Sequence, residues 1–80
     1  MDTISAVKTR ILRLCSERKI TINKLATLSA LPPSSVKNIL YGRSTDPKLL
    51  TIKKLCDGLD ITLGEFFSTE DFDRLEPEIK

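Results

Sequence analysis

Apolar residues in this chain fall at helical rather than alternating spacing along most of its length. Ile4, Val7, Ile11, Leu14 and Cys15 recur three and four positions apart, with Lys8, Arg10, Arg13 and Glu17 on the other sides. That pattern predicts an amphipathic helix over residues 3–18, capped by Asp2 or Thr3. Thr21 caps a second, shorter helix whose inward residues are Leu25, Ala26 and either Leu28 or Ser29. This helix must stop before Pro32, because a residue preceding proline is pushed out of the α region.

The two adjacent prolines start a helix rather than break one. Proline fits the first helical position, where its missing N–H would be unpaired anyway, so Pro33 is read as that position and Pro32 as the extended residue before it. Val36, Ile39 and Leu40 form the inner face, and Gly42 is placed to end the helix in the left-handed conformation. Arg43 to Lys48, "RSTDPK", reads as a loop, followed by a fourth helix through Leu50, Ile52, Leu55, Cys56 and Leu59. After a turn at 60–62, "TLGE" (Thr62 to Glu65) has the spacing of a capping box and starts a fifth helix presenting Phe66 and Phe67. Phe72, Leu75 and Ile79 are spaced as one helical face, although Pro77 argues against a continuous helix there.

With 80 residues, 40% of them hydrophobic and 30% charged, the chain is expected to be one small folded domain with no room for a second catalytic one. No apolar run is long enough for a signal peptide or membrane span. Cys15 and Cys56 each sit in an apolar periodic stretch and read as reduced core thiols. Histidine is absent, as are a glycine-rich phosphate loop and clustered metal ligands, so neither catalysis nor a metal or cofactor is expected. Charge is unevenly spread: residues 1–64 carry 11 Lys/Arg against 5 Asp/Glu, whereas 65–80 carry 2 against 6. A basic body with an acidic tail fits a polyanion binder.

Two short helices joined by a tight turn match a helix-turn-helix arrangement. Counted from Ile22 as the first position, the fourth and tenth are apolar (Leu25, Leu31), the fifth is the small Ala26, and the fifteenth and eighteenth are Val36 and Ile39. In this register the chain resembles the Cro/C1 repressor type, or Xre family, of DNA-binding domains over about residues 4–67. "TINKLATLSAL" looks like the family's second helix and turn, "SSVKNILYG" like its third helix and closing glycine, and "LLTIKKLCDGLDITLGEFF" like its last two helices. The last of these is similar to small phage- and Firmicutes-like regulators.

The resemblance implies an all-α, compact five-helix lambda-repressor-like domain over residues 1–67 with an acidic C-terminal extension over 68–80. It also implies a cytoplasmic, nucleoid-associated transcriptional regulator of prokaryotic or phage origin. Such regulators are usually dimers on a palindromic site in double-stranded DNA, with the recognition helix, about 33–41, in the major groove; the residues themselves leave monomer versus dimer open. Positions that commonly meet base edges in the family fall on Pro33, Ser34, Lys37 and Asn38, with Ser35 and Tyr41 nearby. Asn38 suits adenine N6/N7, Lys37 suits guanine O6/N7 or a phosphate, and the short Ser34 and Ser35 suit phosphate oxygens. Lys24, Arg43 and Lys48 are the expected backbone anchors, with Lys53 or Lys54 as further candidates.

Several positions depart from the family's pattern. Ile22 stands where a phosphate-binding Gln is frequent, and Ala30 stands where Gly is common because the turn needs positive φ. Cys15 and Leu40 occupy the places of an interhelical Arg–Glu pair and are expected to touch in the core. Pro33 removes a base-reading side chain. These departures keep open a rival reading, an antitoxin-like or adaptor module of the same fold that binds a protein partner and touches DNA weakly. One of Phe66 and Phe67 would mark a dimer interface unless the tail folds over them.

Overall fold

In the computed structural model, which describes residues 1–79, six helices follow one another: α1 Thr3–Arg18, α2 Ile22–Leu28, α3 Pro33–Leu40, α4 Leu49–Gly58, α5 Leu63–Phe67 and α6 Glu70–Asp73. Their starts follow local chemistry. Asp2 caps α1 by accepting from the Ser5 N–H at 2.9 Å. The Ser5 side chain and backbone together hold the Asp2 carboxyl below its ordinary value. The Thr21 hydroxyl accepts from Lys24 N at 3.0 Å, and Pro33 opens α3 behind an extended Pro32. At α5 the capping box is complete: Thr62 Oγ1 accepts from Glu65 N at 3.0 Å while Glu65 Oε1 accepts from Thr62 N at 3.1 Å.

Helix ends share a device of their own. Lys19, Ala30 and Asp60 follow α1, α2 and α4 with φ of 55°, 54° and 57°. In each case the next residue donates back across the last turn: Ile20 N to Cys15 O at 3.1 Å, Leu31 N to Ala26 O at 2.9 Å, Ile61 N to Cys56 O at 3.0 Å. That residue is apolar every time and packs half-buried against the core. The left-handed backbone expected at Ala30 is therefore present, at a strain of roughly 1 kcal/mol. Anchoring Leu31 to the core holds it in place.

Ile11, Leu25, Ala26, Val36, Leu55, Cys56 and Phe66 are fully buried. Cys15 lies in this cluster and Leu40 packs half-buried against it, so both positions of the replaced ion pair are apolar and join one core. Both cysteines are free thiols, and burial pushes each above its ordinary value. Of the two alternatives at the end of α2, Ser29 is buried and Leu28 is 47% exposed.

One expectation from spacing needs correction. Leu50 is 65% exposed, because Ile52, two residues on, is buried and a two-residue step turns about 200° round a helix. The face of α4 that enters the core is Ile52, Leu55 and Cys56, with Leu59 just beyond its end. The continuous tail helix that Pro77 argues against does not form: α6 ends at Asp73, and Ile79 is 87% exposed.

Phe72 turns in, however, and covers the two aromatics of α5. Ring centroids are 4.9 Å apart for Phe66–Phe67 and Phe67–Phe72 and 6.1 Å for Phe66–Phe72, the first two pairs edge to face. The tail thus folds over Phe66 and Phe67. Arg10 of α1 fastens the same corner, donating from Nε to Phe66 O at 2.8 Å and from Nη2 to Glu65 O at 2.9 Å.

α4 is set against the helix-turn-helix by Gly58. A Cβ there would overlap the Ser29 hydroxyl and lie 3.0 Å from Leu28 C and Ser29 N, so backbone meets backbone at the end of α2. The Ser29 hydroxyl pays for this closeness by being buried without a hydrogen-bond partner.

Candidate nucleic-acid interface

With Val36 and Ile39 turned into the core, 3.6-residue periodicity sends Ser34, Lys37, Asn38 and Tyr41 outward. Ser34, Lys37, Asn38 and Tyr41 line a shallow depression together with Arg43. Arg43 reaches it because Gly42, at φ +83°, reverses the chain. The Arg43 and Ser44 N–H groups then both donate to Asn38 O, at 3.0 and 2.9 Å. The guanidinium is therefore carried on a backbone turn fixed to the end of α3 rather than on a free loop.

A second depression lies beside the first. Ser35, Asn38 and Lys48 line it, with Ser44, Thr51 and the Asp46 carboxylate. Asn38 borders both hollows, so it stands between them. Asp46 was not singled out from the sequence, and its charge opposes that of Lys48 at this edge. Lys24 is exposed on the first turn of α2 and Pro33 is exposed at the start of α3; neither lines these two depressions.

At the head of α3 no side chain caps the helix. Proline contributes no N–H, and Ser35 N already donates to Pro32 O at 3.0 Å. The Ser34 N–H is left for an external acceptor, at the end of the helix where the backbone dipole favours an anion.

Among the described residues the ion pairs are Lys53–Asp57 and Arg74–Glu70, each one helical turn apart. Lys24, Lys37, Arg43 and Lys48 are outside these pairs and keep their charge for solvent or a ligand. Lys53 is answered within α4 by Asp57, whereas Lys54 is exposed without such a pair.

One cation at this edge had no signal within the motif. Lys8, on α1, brings Nζ to 3.9 Å from the position a Cβ on Gly42 would take. Only the fold, which brings this side chain of α1 to the turn after α3, reveals it. Among the described residues no group of three or more His, Cys, Asp or Glu is arranged to hold a metal ion, and no helix is long and apolar enough to cross a membrane.

Residues 10–71 match the model of the Cro/C1-type helix-turn-helix DNA-binding domain. Over 48 residues, 60% of this chain, the sequence is 44% identical to the HTH-type transcriptional repressor RghR of Bacillus subtilis (strain 168). The match spans 36% of that relative, about a third of its length. The fold is similar to the crystal structure of the prophage Lp1 protein 11, with a TM-score of 0.81 and 33% identity, covering 94% of this chain and 100% of the other.

Proposed function

Because the chain belongs to the Cro/C1-type helix-turn-helix DNA-binding family, we propose that it is a transcriptional regulator that lays α3 in the major groove of double-stranded DNA and reads it with modest sequence specificity. The observation that carries this reading is the single exposed strip of Ser34, Lys37, Asn38, Tyr41 and Arg43 on the outer side of α3. Asn38 pairs with adenine N6/N7, and Lys37 reaches guanine O6/N7 or a phosphate. Ser34 and Ser35 meet phosphate oxygens at the helix start, where the free Ser34 N–H adds a donor. Lys24, Arg43 and Lys48 anchor the flanking backbone, and Tyr41 borders the contact. Pro33 occupies a reading position without a donor or acceptor side chain, which is why specificity is modest.

As a homodimer the protein would bind two half-sites of a palindrome, each served by the domain of residues 1–67, with residues 68–80 as an acidic extension to it. That RghR is named a repressor supports repression as the sign of regulation. Selection of DNA sites from a random pool by the purified protein tests the reading. Enrichment of a palindrome that is lost in Lys37→Ala and Asn38→Ala supports it.

A second reading has its own observation. An apolar cleft of about 700 Å³ lies between α1 and α4, lined by Ile4, Val7, Leu49, Ile52 and Phe67, and Leu49 is 67% exposed at its edge. Such a cleft suits an adaptor that docks a protein partner. Failure to enrich any DNA at low salt would favour that reading over the regulator.

A further inference from the structure

We propose that Lys8, on α1, binds a backbone phosphate of duplex DNA beside the Gly42 turn, as a contact outside the helix-turn-helix that adds to those of Lys37 and Arg43. The inference rests on the DNA-binding reading and adds a ligand group to it. Lys8 lies on α1, and the fold alone brings it to the turn after α3.

Gly42 makes the turn. Its φ of +83° reverses the chain, so that Arg43 N donates to Asn38 O at 3.0 Å, fixing the turn against the helix. Lys37 and Arg43 then line one depression. From the other side, Lys8 extends Nζ to 3.9 Å from the position of a Gly42 Cβ.

Lys8 is half-buried next to core Val7, so part of its stem is held while the ammonium is carried to the edge. The ion pairs among the described residues leave Lys8, Lys37 and Arg43 without a carboxylate partner. Asp2 is the anionic group whose field Lys8 reaches, and it is already engaged as the cap of α1. Lys8 thus adds an unpaired positive charge at the turn that carries Arg43, and such a charge favours an anion there. The phosphate oxygens of the duplex bordering α3 are the anions at hand.

The test measures affinity for a preferred and a scrambled duplex across salt concentrations, for the full chain and for three variants. Lys8→Gln removes the charge, Lys8→Arg restores it, and Arg13→Gln removes a cation from the same helix about 140° round its axis. If wild type neutralises about four phosphates, its log–log salt slope is roughly −3 to −4 per subunit.

Lys8→Gln is expected to flatten that slope by about 0.9 and weaken both duplexes equally, by roughly fivefold to tenfold at moderate salt. Lys8→Arg and Arg13→Gln should keep the wild-type slope. An unchanged slope in Lys8→Gln overturns the proposal, as does an equal loss in Arg13→Gln, which would mark a net-charge effect. A change in preference between the duplexes would also overturn it, by making Lys8 a base reader. Wild type that binds neither duplex at low salt sinks the regulator reading itself, an outcome distinct from all of these.

Discussion

The strip along α3 and the clasp at α5 and α6 are built from opposite materials. On the strip, Ser34, Lys37, Tyr41 and Arg43 are exposed, and their side chains make no hydrogen bond or ion pair to the rest of the fold among the described residues. At the clasp, Phe66 is fully buried, Phe67 and Phe72 close over it edge to face, and Arg10 ties the α5 carbonyls to α1. Stability is concentrated where the chemistry is apolar, and the proposed recognition where side chains are left unpaired. Changes in the two regions should therefore separate cleanly into effects on folding and effects on DNA binding.

The largest expected effect is at the clasp. Phe66→Ala should cost about 3–5 kcal/mol in chemical denaturation, a large share of what a domain of this size has. Gly58→Ala should come next, at roughly 1–3 kcal/mol, because a methyl group there must push α4 away from the end of α2. A Gly58→Ala protein as stable as wild type would show that the helix-turn-helix does not depend on this backbone contact.

On the strip the pattern should invert. Asn38→Ala should weaken binding to an adenine-bearing site by about 1–3 kcal/mol and shift unfolding by no more than about 0.5 kcal/mol. A variant that lost both in proportion would break the separation.

Smaller effects sharpen the same contrast. Ala30→Gly should stabilise by about 0.5–1 kcal/mol, since glycine adopts φ of 54° without the Cβ penalty. Binding should not change, because Ala30 lies in the turn between the two helices and outside the strip.

Smallest near neutral pH is the thiol contribution. Burial raises Cys15 and Cys56 in the folded state, so folded thiols hold their protons at pH values where unfolded ones have begun to ionise. Their stabilisation is full below the unfolded thiol value of about 9 and is lost as pH rises from there through the higher folded value. A stability profile that rose across that window would contradict their burial. Labelling by a thiol reagent should likewise be slow in the folded protein and fast in denaturant.

What could be read from the sequence was local. Asp2, Thr21, Pro33, Gly42 and the Thr62–Glu65 box act on backbone within a few residues of themselves, so spacing alone identified the helix starts and the end of α3. The outward residues of α3 followed from the same periodicity once Val36 and Ile39 were assigned inward.

Three tertiary contacts were not legible. Lys8 beside Gly42, Gly58 against Ser29, and Arg10 on the α5 carbonyls join residues 34, 29 and up to 56 positions apart, with no pattern to announce them. Leu50 was placed inward because it is apolar, although its angular position relative to Ile52 already opposed that. In the tail, Pro77 announced the break in the helix, whereas the packing of Phe72 on the two aromatics of α5 had no local signal.

The claim that α3 carries recognition is tested most directly by mapping. Isotope-labelled protein is titrated with a duplex recovered by selection, and its backbone amide signals are followed by nuclear magnetic resonance. Expected are shifts concentrated at residues 34–44, with Lys8 joining them and Phe66, Phe67 and Phe72 unmoved. Shifts centred on the aromatic clasp or the apolar cleft, with Ser34, Lys37, Asn38 and Arg43 silent, would contradict it.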